Sequence, residues 1–273
     1  MCTYICRFVI PMRKISYTVP PALDGSSVAA VLRSHGFSTA LLRSLKKTYG
    51  ALSRNGCPVR TVDPVHTGDI VAVELNTDGA TAPPSAEKAV IVYADRDILV
   101  VNKRAGMAMY ETYNHHGNAL SNAVAAAGFD GPFRPIYRLD KDTSGLVVLA
   151  RHQLSAAKLA GRVQKDYYAV VPGTYTGSGT VDAPIAHCPD STVKRCVDPT
   201  GVRAVTHWEA LGQQGGRTLL RVQLETGRTH QIRVHFAHLG TPLVGDSLYG
   251  TAPVGTRHLL HCKTIRLMHP VRE

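Results

Sequence analysis

An α+β fold is predicted by three features of the sequence. Strand-like runs recur after residue 86, helical runs fall irregularly among them, and a Gly- and Pro-rich break sets off a smaller region before them. The strand and helix runs do not alternate regularly enough for a doubly wound parallel sheet. The larger part is therefore expected to be a mixed, mainly antiparallel sheet with flanking helices. A small domain made of a helix pair and strands is expected to precede it.

The break is Asn76 to Ser85, NTDGATAPPS. Small polar residues, Gly79 and the pair Pro83-Pro84 resist both helix and sheet. The expected division is a domain over 1–75, a linker over 76–86 and a second domain over 87–273.

In the first domain, 27–33 and 38–48 read as short helices. Val28, Val31 and Leu32 share one face, as do Leu41, Leu42 and Leu45. Gly36 and Gly50 stand where helix ends favour glycine. Arg43, Lys46 and Lys47 are spaced to share a helix face. Strands are expected at 58–60 and 70–73, with a turn at Gly68-Asp69. Residues 1–75 hold nine Lys/Arg and four Asp/Glu, a net charge of +5.

In the second domain, strands are expected at 89–93, 98–102, 146–150, 167–171, 204–208 and 219–224. Helices are expected at 118–127, 154–163 and 229–239. The stretch 173–203 reads as a loop whose Lys194, Arg195 and Arg203 would grip a polyanion.

Composition narrows the function. The 273-residue chain is long enough to bury a substantial core. No apolar stretch approaches the roughly 20 residues that span a bilayer. The apolar patch from Tyr4 to Ile10 is interrupted by Arg7 and lacks a small-residue cleavage site, so no secretory signal is expected. The expected compartment is the cytoplasm. A formal charge of +11 attracts polyanions. Charge alone would suit a membrane surface or an acidic protein equally well.

Six cysteines form no C-x-x-C pair and are expected to be reduced and inert. The thirteen histidines form no H-E-x-x-H pattern, so no metal is expected. There is no Gly-rich phosphate or dinucleotide motif, and no cofactor is expected. The string Asp142-Thr143-Ser144-Gly145 mimics an aspartic-protease motif, but that chemistry needs a second carboxylate. No second such string occurs in the chain.

One segment stands out: Tyr137-Arg138-Leu139-Asp140-Lys141-Asp142-Thr143-Ser144-Gly145. It places Asp140 near an arginine in a polar turn that opens the β-branched run Leu146-Val147-Val148-Leu149. A carboxylate at the mouth of a strand is a candidate reactive group. The same spacing suits a salt-bridged structural turn.

The segment resembles the R-L-D-x-x-T-S-G signature of the RluA-type RNA pseudouridine synthases, with Tyr137 where many members have histidine. The resemblance spans roughly 87–270. Glu225 to His235 contains T-G-R-T-H-Q-I-R-V-H, which matches the family's third motif letter for letter. Lys165-Asp166-Tyr167-Tyr168-Ala169 resembles K-x-Y-x-A. Leu259-Leu260-His261-Cys262 and Leu267-Met268-His269-Pro270 resemble the closing motif, with Cys262 in place of alanine. Asn102-Lys103-Arg104-Ala105-Gly106-Met107 resembles N-K-P-A-G-M, with Arg104 in place of proline.

The resemblance implies an enzyme that isomerises uridine in RNA to pseudouridine, with Asp140 essential. It implies that Arg233 pairs with Asp140 and that Tyr167 stacks on the target base. On the residues alone, Arg233 would suit a solvated helix face and Tyr167 a sheet core. Arg138 would fill the gap left by a flipped uridine, and Leu260 would wall the base. Leu139, Thr143, Arg228 and His230 are expected around the same substrate. Thr229 is expected to cap the helix, with Ile232, Phe236 and Leu239 as its apolar stripe.

Residues 1–75 resemble an alpha-L RNA-binding module, on the helix pair, the Leu52-to-Gly56 stretch and Thr67-Gly68-Asp69-Ile70-Val71. Arg43, Lys46, Lys47 and Arg54 are its expected RNA contacts. The expected partner is RNA, ribosomal or transfer, with no membrane and with the protein a monomer. The alternative is a non-catalytic RNA-binding protein of ribosome assembly on the same scaffold.

Overall fold

The structure is a computed structural model that describes residues 13–75, 80–111 and 117–271. The apolar patch at 4–10 lies outside the described residues.

The first region contains β1 (Arg13–Thr18), α1 (Val28–Ser34), α2 (Thr39–Leu45), β2 (Leu52–Arg54), β3 (Cys57–Pro58) and β4 (Ile70–Leu75). The strands form one antiparallel sheet in the order β1-β4-β2-β3. Serine side chains start both helices. Ser27 Oγ accepts from the Ala30 amide at 3.3 Å, and Ser38 Oγ from the Leu41 amide at 3.2 Å. The expected faces are the buried ones: Val28, Val31, Leu32, Leu41, Leu42 and Leu45 pack with Val71 and Val73.

α2 ends three residues short of the expected Thr48. The amides of Lys47 and Thr48 bond three residues back, to Ser44 and Leu45, which tightens the chain into turns. Lys46 and Lys47 therefore lie just past the helix that was expected to carry them. The strand expected at 58–60 lies at Cys57–Pro58 instead. Asn55 (φ 51°) and Gly56 (φ 84°) form a tight hairpin turn that sets this earlier register.

Between the regions, residues 76–79 of the expected linker lie outside the described residues. The rest is held against the second region. Asn122 Nδ2 donates to the Pro83 carbonyl at 2.7 Å, and the Gly131 amide to Thr81 Oγ1 at 2.7 Å.

The second region contains β5 (Val90–Ala94), β6 (Ile98–Lys103), α3 (Leu120–Ala126), β7 (Ser144–Ala150), α4 (Gln153–Leu159) and β8 (Gln164–Pro172). It continues with β9 (Ser178–Asp182), β10 (Ile185–His187), β11 (Arg195–Val197), β12 (Val205–Gln214), β13 (Arg217–Leu224), α5 (Gln231–His238) and β14 (Leu260–Arg266). Eight strands form one sheet in the order β5-β6-β7-β14-β8-β13-β12-β9. All pairs in it are antiparallel except β14 with β7. This is the expected mixed, mainly antiparallel sheet.

β14 decides the placement of the site. It enters from the C-terminal side and separates β7 from β8, so Cys262 sits opposite Gly145 on one side and Tyr167 on the other. Gly145 permits this approach. Its φ is 119°, and a Cβ there would lie 2.2 Å from the Cys262 carbonyl oxygen.

Residues 173–203 are not the expected loop. They contain β9, β10 and β11, the last two paired as a separate hairpin. These strands are only three to five residues long, and pairing with neighbours forms them where local propensity does not.

The two sheets meet through a charged knot. Asp97, 2 % exposed, accepts from Arg13 Nε at 2.8 Å and lies 2.8 Å from His152 Nε2. Leu154 of α4 is buried among the core residues of the first region.

Candidate active site

A cleft of about 690 Å³ opens over β14, β8 and the start of α5. Asp140 lies in it, in the turn before β7. Tyr167 (β8), Leu260 (β14) and Arg233 (α5) line the same cleft, as do Arg138, Leu139, Thr143, Arg228 and His230. The structure thus gathers all nine residues expected at the site, from segments up to 122 positions apart.

Their postures differ. Arg138 is exposed, and no hydrogen bond or ion pair engages it among the described residues. Leu139 is buried beneath the turn at 6 % exposure. Thr143, also buried, is occupied by His258, with Oγ1 to Nε2 at 2.8 Å. Arg228 is exposed and donates from Nε to the Arg203 carbonyl at 3.1 Å.

Arg233 donates from Nη1 to Asp140 Oδ2 at 3.3 Å. Its main partner is Asp246, which sequence reading missed. Nε and Nη2 donate to the two Asp246 oxygens at 2.7 and 2.9 Å. Asp246 Oδ1 also accepts from the amides of Leu248 and Tyr249 at 3.0 and 3.1 Å. Burial alone would lower the basicity of Arg233, but Asp246 and then Asp140 outweigh it and raise it. Burial would raise the Asp246 carboxyl, but the bonds from Arg233 pull it down. The guanidinium is thus a fixed cation, held by a two-point clamp on one side and offered to Asp140 on the other.

Sequence alone offered one weak signal for Asp246, its place in Gly245-Asp246-Ser247-Leu248-Tyr249-Gly250. Gly245 has φ 82°, and a Cβ there would lie 2.1 Å from the Arg257 carbonyl oxygen.

α5 begins differently from expectation. Thr229 does not cap it. His230 is the capping position, at φ 58°, and makes no side-chain cap bond. Its imidazole turns into the cleft, with Nε2 3.9 Å from Asp140 Oδ2 and Nδ1 2.8 Å from the Tyr249 hydroxyl. The expected stripe holds at Ile232 and Phe236, but Leu239 is 44 % exposed. Arg233 is not on a solvated face; it is 7 % exposed.

Tyr167 is 5 % exposed, and burial first, then Cys262 and Asp140, push its hydroxyl well above the usual tyrosine range. It is a neutral phenol. The Cys262 thiol beneath it is pushed up to about 12, chiefly by burial, and stays protonated. Tyr137 lines the cleft wall and donates to the Leu146 carbonyl at 2.9 Å. Lys165 Nζ sits 4.6 Å over the Tyr137 ring.

Lys103, in the stretch that resembles N-K-P-A-G-M, was not among the expected site residues. It is 1 % exposed, and its ammonium donates to the carbonyls of Arg104, Met107 and Lys141 at 3.1, 2.7 and 2.8 Å. The bond to Lys141 ties β6 to the residue after Asp140. Burial lowers this ammonium to about 8, against the opposing pull of Asp142 and Asp140. Arg104, in the place of a proline, is held outside by Glu87, with Nε to both carboxylate oxygens at 2.7 and 2.8 Å.

In the first region, Arg43, Lys46 and Lys47 are exposed, and Arg43 and Lys46 help line a hollow of about 400 Å³. Arg54 is half-buried and engaged within its own region. Its Nη1 donates to the Pro64 carbonyl at 2.6 Å, and its Nε lies 3.9 Å from Asp69. It braces the loop before β4 and offers less to a partner than the other three.

Comparison with known proteins bears on this cleft. The sequence profile described as "RNA pseudouridylate synthase" matches residues 97–238, which include Asp140, Tyr167 and Arg233. The chain belongs to the RNA pseudouridylate synthase family. As a pseudouridine synthase it is 36 % identical to the "Uncharacterized RNA pseudouridine synthase YjbO" of Bacillus subtilis, over 87 % of this chain and 89 % of that one. It is 35 % identical to a "Ribosomal large subunit pseudouridine synthase D" of Xylella fastidiosa, over 93 % and 85 %. Among solved structures, human RNA Pseudouridylate Synthase Domain Containing 1 is similar. Its TM-score is 0.58 at 28 % identity, covering 68 % of this chain and 81 % of that one. The protein is an RNA pseudouridine synthase.

Proposed function

We propose that Asp140 is the essential carboxylate of this synthase and that its substrate is a uridine in structured ribosomal RNA. The observation that carries the assignment is the Arg233–Asp140 bond inside the cleft, with Arg233 held in place by Asp246.

The reaction breaks the bond from uracil N1 to ribose C1′ and forms one from C5 to C1′. N1 gains a proton and C5 loses one, so no electrons are exchanged with a partner. Asp140 acts on the sugar, by attack at C1′ or by removal of the 2′ proton. Arg233 keeps the carboxylate ionised and aimed. Tyr167 and Leu260 hold the detached base; because the phenol is neutral, Tyr167 serves as a stacking surface. Arg138, exposed and without a partner among the described residues, fills the stack when the uridine everts, which offsets part of an unstacking cost of a few kcal/mol.

The region before the linker is read as an RNA-binding domain that uses Arg43, Lys46 and Lys47. Its own sheet and core, and its net charge of +5, support that division of the chain. Relatives named for ribosomal large-subunit pseudouridine support ribosomal over transfer RNA.

The test compares tritium release from large-subunit ribosomal RNA and from transfer RNA transcripts, both labelled at uracil C5. Release from the ribosomal transcript alone is expected, and none with Asp140→Asn. Release from transfer RNA only would overturn the substrate assignment. Equal release by the variant would overturn the role of Asp140.

A further inference from the structure

His230 combines three features that the site described so far leaves unused. Its backbone is left-handed, at φ 58°. Such a conformation is strained for a residue with a side chain and persists where surroundings enforce it. Here it turns the imidazole away from the axis of α5 and into the cleft. The Val234 amide still donates to the His230 carbonyl at 2.9 Å, so the helix starts normally despite the twist.

The second feature is a fixed tautomer. The Arg195 amide donates to the Tyr249 hydroxyl oxygen at 3.0 Å. That oxygen lies 2.8 Å from His230 Nδ1. With the oxygen already accepting, the hydroxyl proton needs an acceptor, and Nδ1 is the one it meets among the described residues. Burial pushes Tyr249 up to about 12, which keeps that proton in place. Burial also lowers the His230 imidazolium, which keeps the ring neutral. A neutral ring with Nδ1 accepting carries its proton on Nε2.

The third feature is where that N–H points. Nε2 lies 3.9 Å from Asp140 Oδ2, too far for a direct hydrogen bond. An oxygen at an ordinary hydrogen-bond length from both atoms fits across the gap. It must accept from Nε2–H and donate to the carboxylate, which a hydroxyl does and a uracil carbonyl does not. An internal nucleotide of RNA has a single hydroxyl, at the ribose 2′ carbon. That carbon adjoins C1′, the atom Asp140 must reach.

We infer that His230, locked by Tyr249, binds the 2′-hydroxyl of the target uridine between its Nε2–H and Asp140, and so makes the site selective for ribose at the reacting nucleotide. The inference rests on the reading of this cleft as the uridine site. Tyr249 is a positioning residue in this arrangement. It is itself braced by the Asp246 carboxylate at its amide and by the Arg233 guanidinium, 5.0 Å over its ring. One turn, Asp246 to Tyr249, therefore sets both side chains at the start of α5 that face Asp140, His230 at its cap and Arg233 within it.

Two measurements test this. The first is nitrogen NMR of protein labelled in histidine, with His230 assigned by its loss in His230→Gln. A neutral Nε2–H tautomer is expected in the wild type, with a shift toward Nδ1–H in Tyr249→Phe. A wild-type Nδ1–H tautomer would overturn the inference.

The second is single-turnover tritium release from two ribosomal RNA transcripts of one template, carrying C5-labelled uridine or C5-labelled 2′-deoxyuridine. Any refolding of the deoxy transcript affects both proteins alike, so the ratio of ratios is informative. The ribose-to-deoxy rate ratio of the wild type is expected to fall about tenfold in His230→Ala. An unchanged ratio overturns the inference while leaving the cleft reading intact. A deoxy transcript inert with both proteins also counts against it, since the hydroxyl would then serve something other than His230. No release from the ribose transcript by the wild type overturns the cleft reading and this inference with it.

Discussion

At the scale of the residue, the site is a relay of charge. Asp246 fixes Arg233 through two bonds, and Arg233 gives one to Asp140. Removing one partner of a buried pair costs about 3–5 kcal/mol, because the other charge is left uncompensated. Asp246→Asn is therefore expected to lower kcat about a hundredfold or more while RNA binding changes little, as read by single-turnover rate and filter binding. A loss of binding with an unchanged rate would count against the relay. The motif letters made Asp140, Tyr167 and Arg233 legible in sequence. Asp246 was not, because it lies in an irregular turn that carries no periodic signal, 13 residues from its partner on α5. Lys103 was hidden for another reason. A lysine after a strand ordinarily reads as solvated, and only the fold shows three carbonyls converging on its ammonium.

Stability should also register single groups. Burial holds the His258 imidazole down at about 4, against an ordinary 6.5, with Thr143 on its Nε2. The folded state thus binds fewer protons than the unfolded state between these values. Stability is full above pH 6.5 and is lost as pH falls from 6.5 through 4, by about 3 kcal/mol at the limit. Denaturant titrations at pH 7 and pH 4.5 should show that loss, and His258→Gln should flatten it.

At the scale of the element, the contact of β7 with β14 carries the site. The short apolar runs made β6, β7, β8 and β13 readable, and the apolar residues spaced along one face made α1 and α2 readable. β14 was seen only as a motif. Its parallel register beside β7 comes from chain topology and from Gly145, neither of which leaves a local pattern. Gly145→Ala would put a methyl group into the Cys262 carbonyl and force a left-handed residue at φ 119°. It is expected to destabilise by about 3 kcal/mol or more and to lower activity with it. Thermal unfolding measures the first effect, and an unshifted Tm would contradict the tight register. The hairpin of β10 and β11 was likewise unreadable, since its strands are only three residues each, too short for an alternating pattern to show.

At the scale of the whole molecule, the two sheets are joined by Asp97, which Arg13 and His152 share, and by Leu154. Burial would raise the Asp97 carboxyl, but the bonds from His152 and Arg13 bring it down to about 2. The break near residue 80 was legible from composition; the knot was not, because its members lie 84 and 55 residues apart. The exposed Arg43, Lys46 and Lys47 lie on the first sheet's side of that knot. Replacing all three by alanine should weaken RNA binding and reduce the slope of log affinity against log salt by about two to three. The single-turnover rate at saturating protein should stay near that of the wild type. An unchanged salt slope would remove this surface from the RNA interface.

The assignment of Asp140 meets its most direct test in a paired measurement on Asp140→Asn. Binding of ribosomal RNA and single-turnover release of C5 tritium are followed on the same preparation. Binding within a few-fold of the wild type with no detectable release is the predicted result. Release at the wild-type rate would contradict it, and would place the chemistry on another group of the cleft.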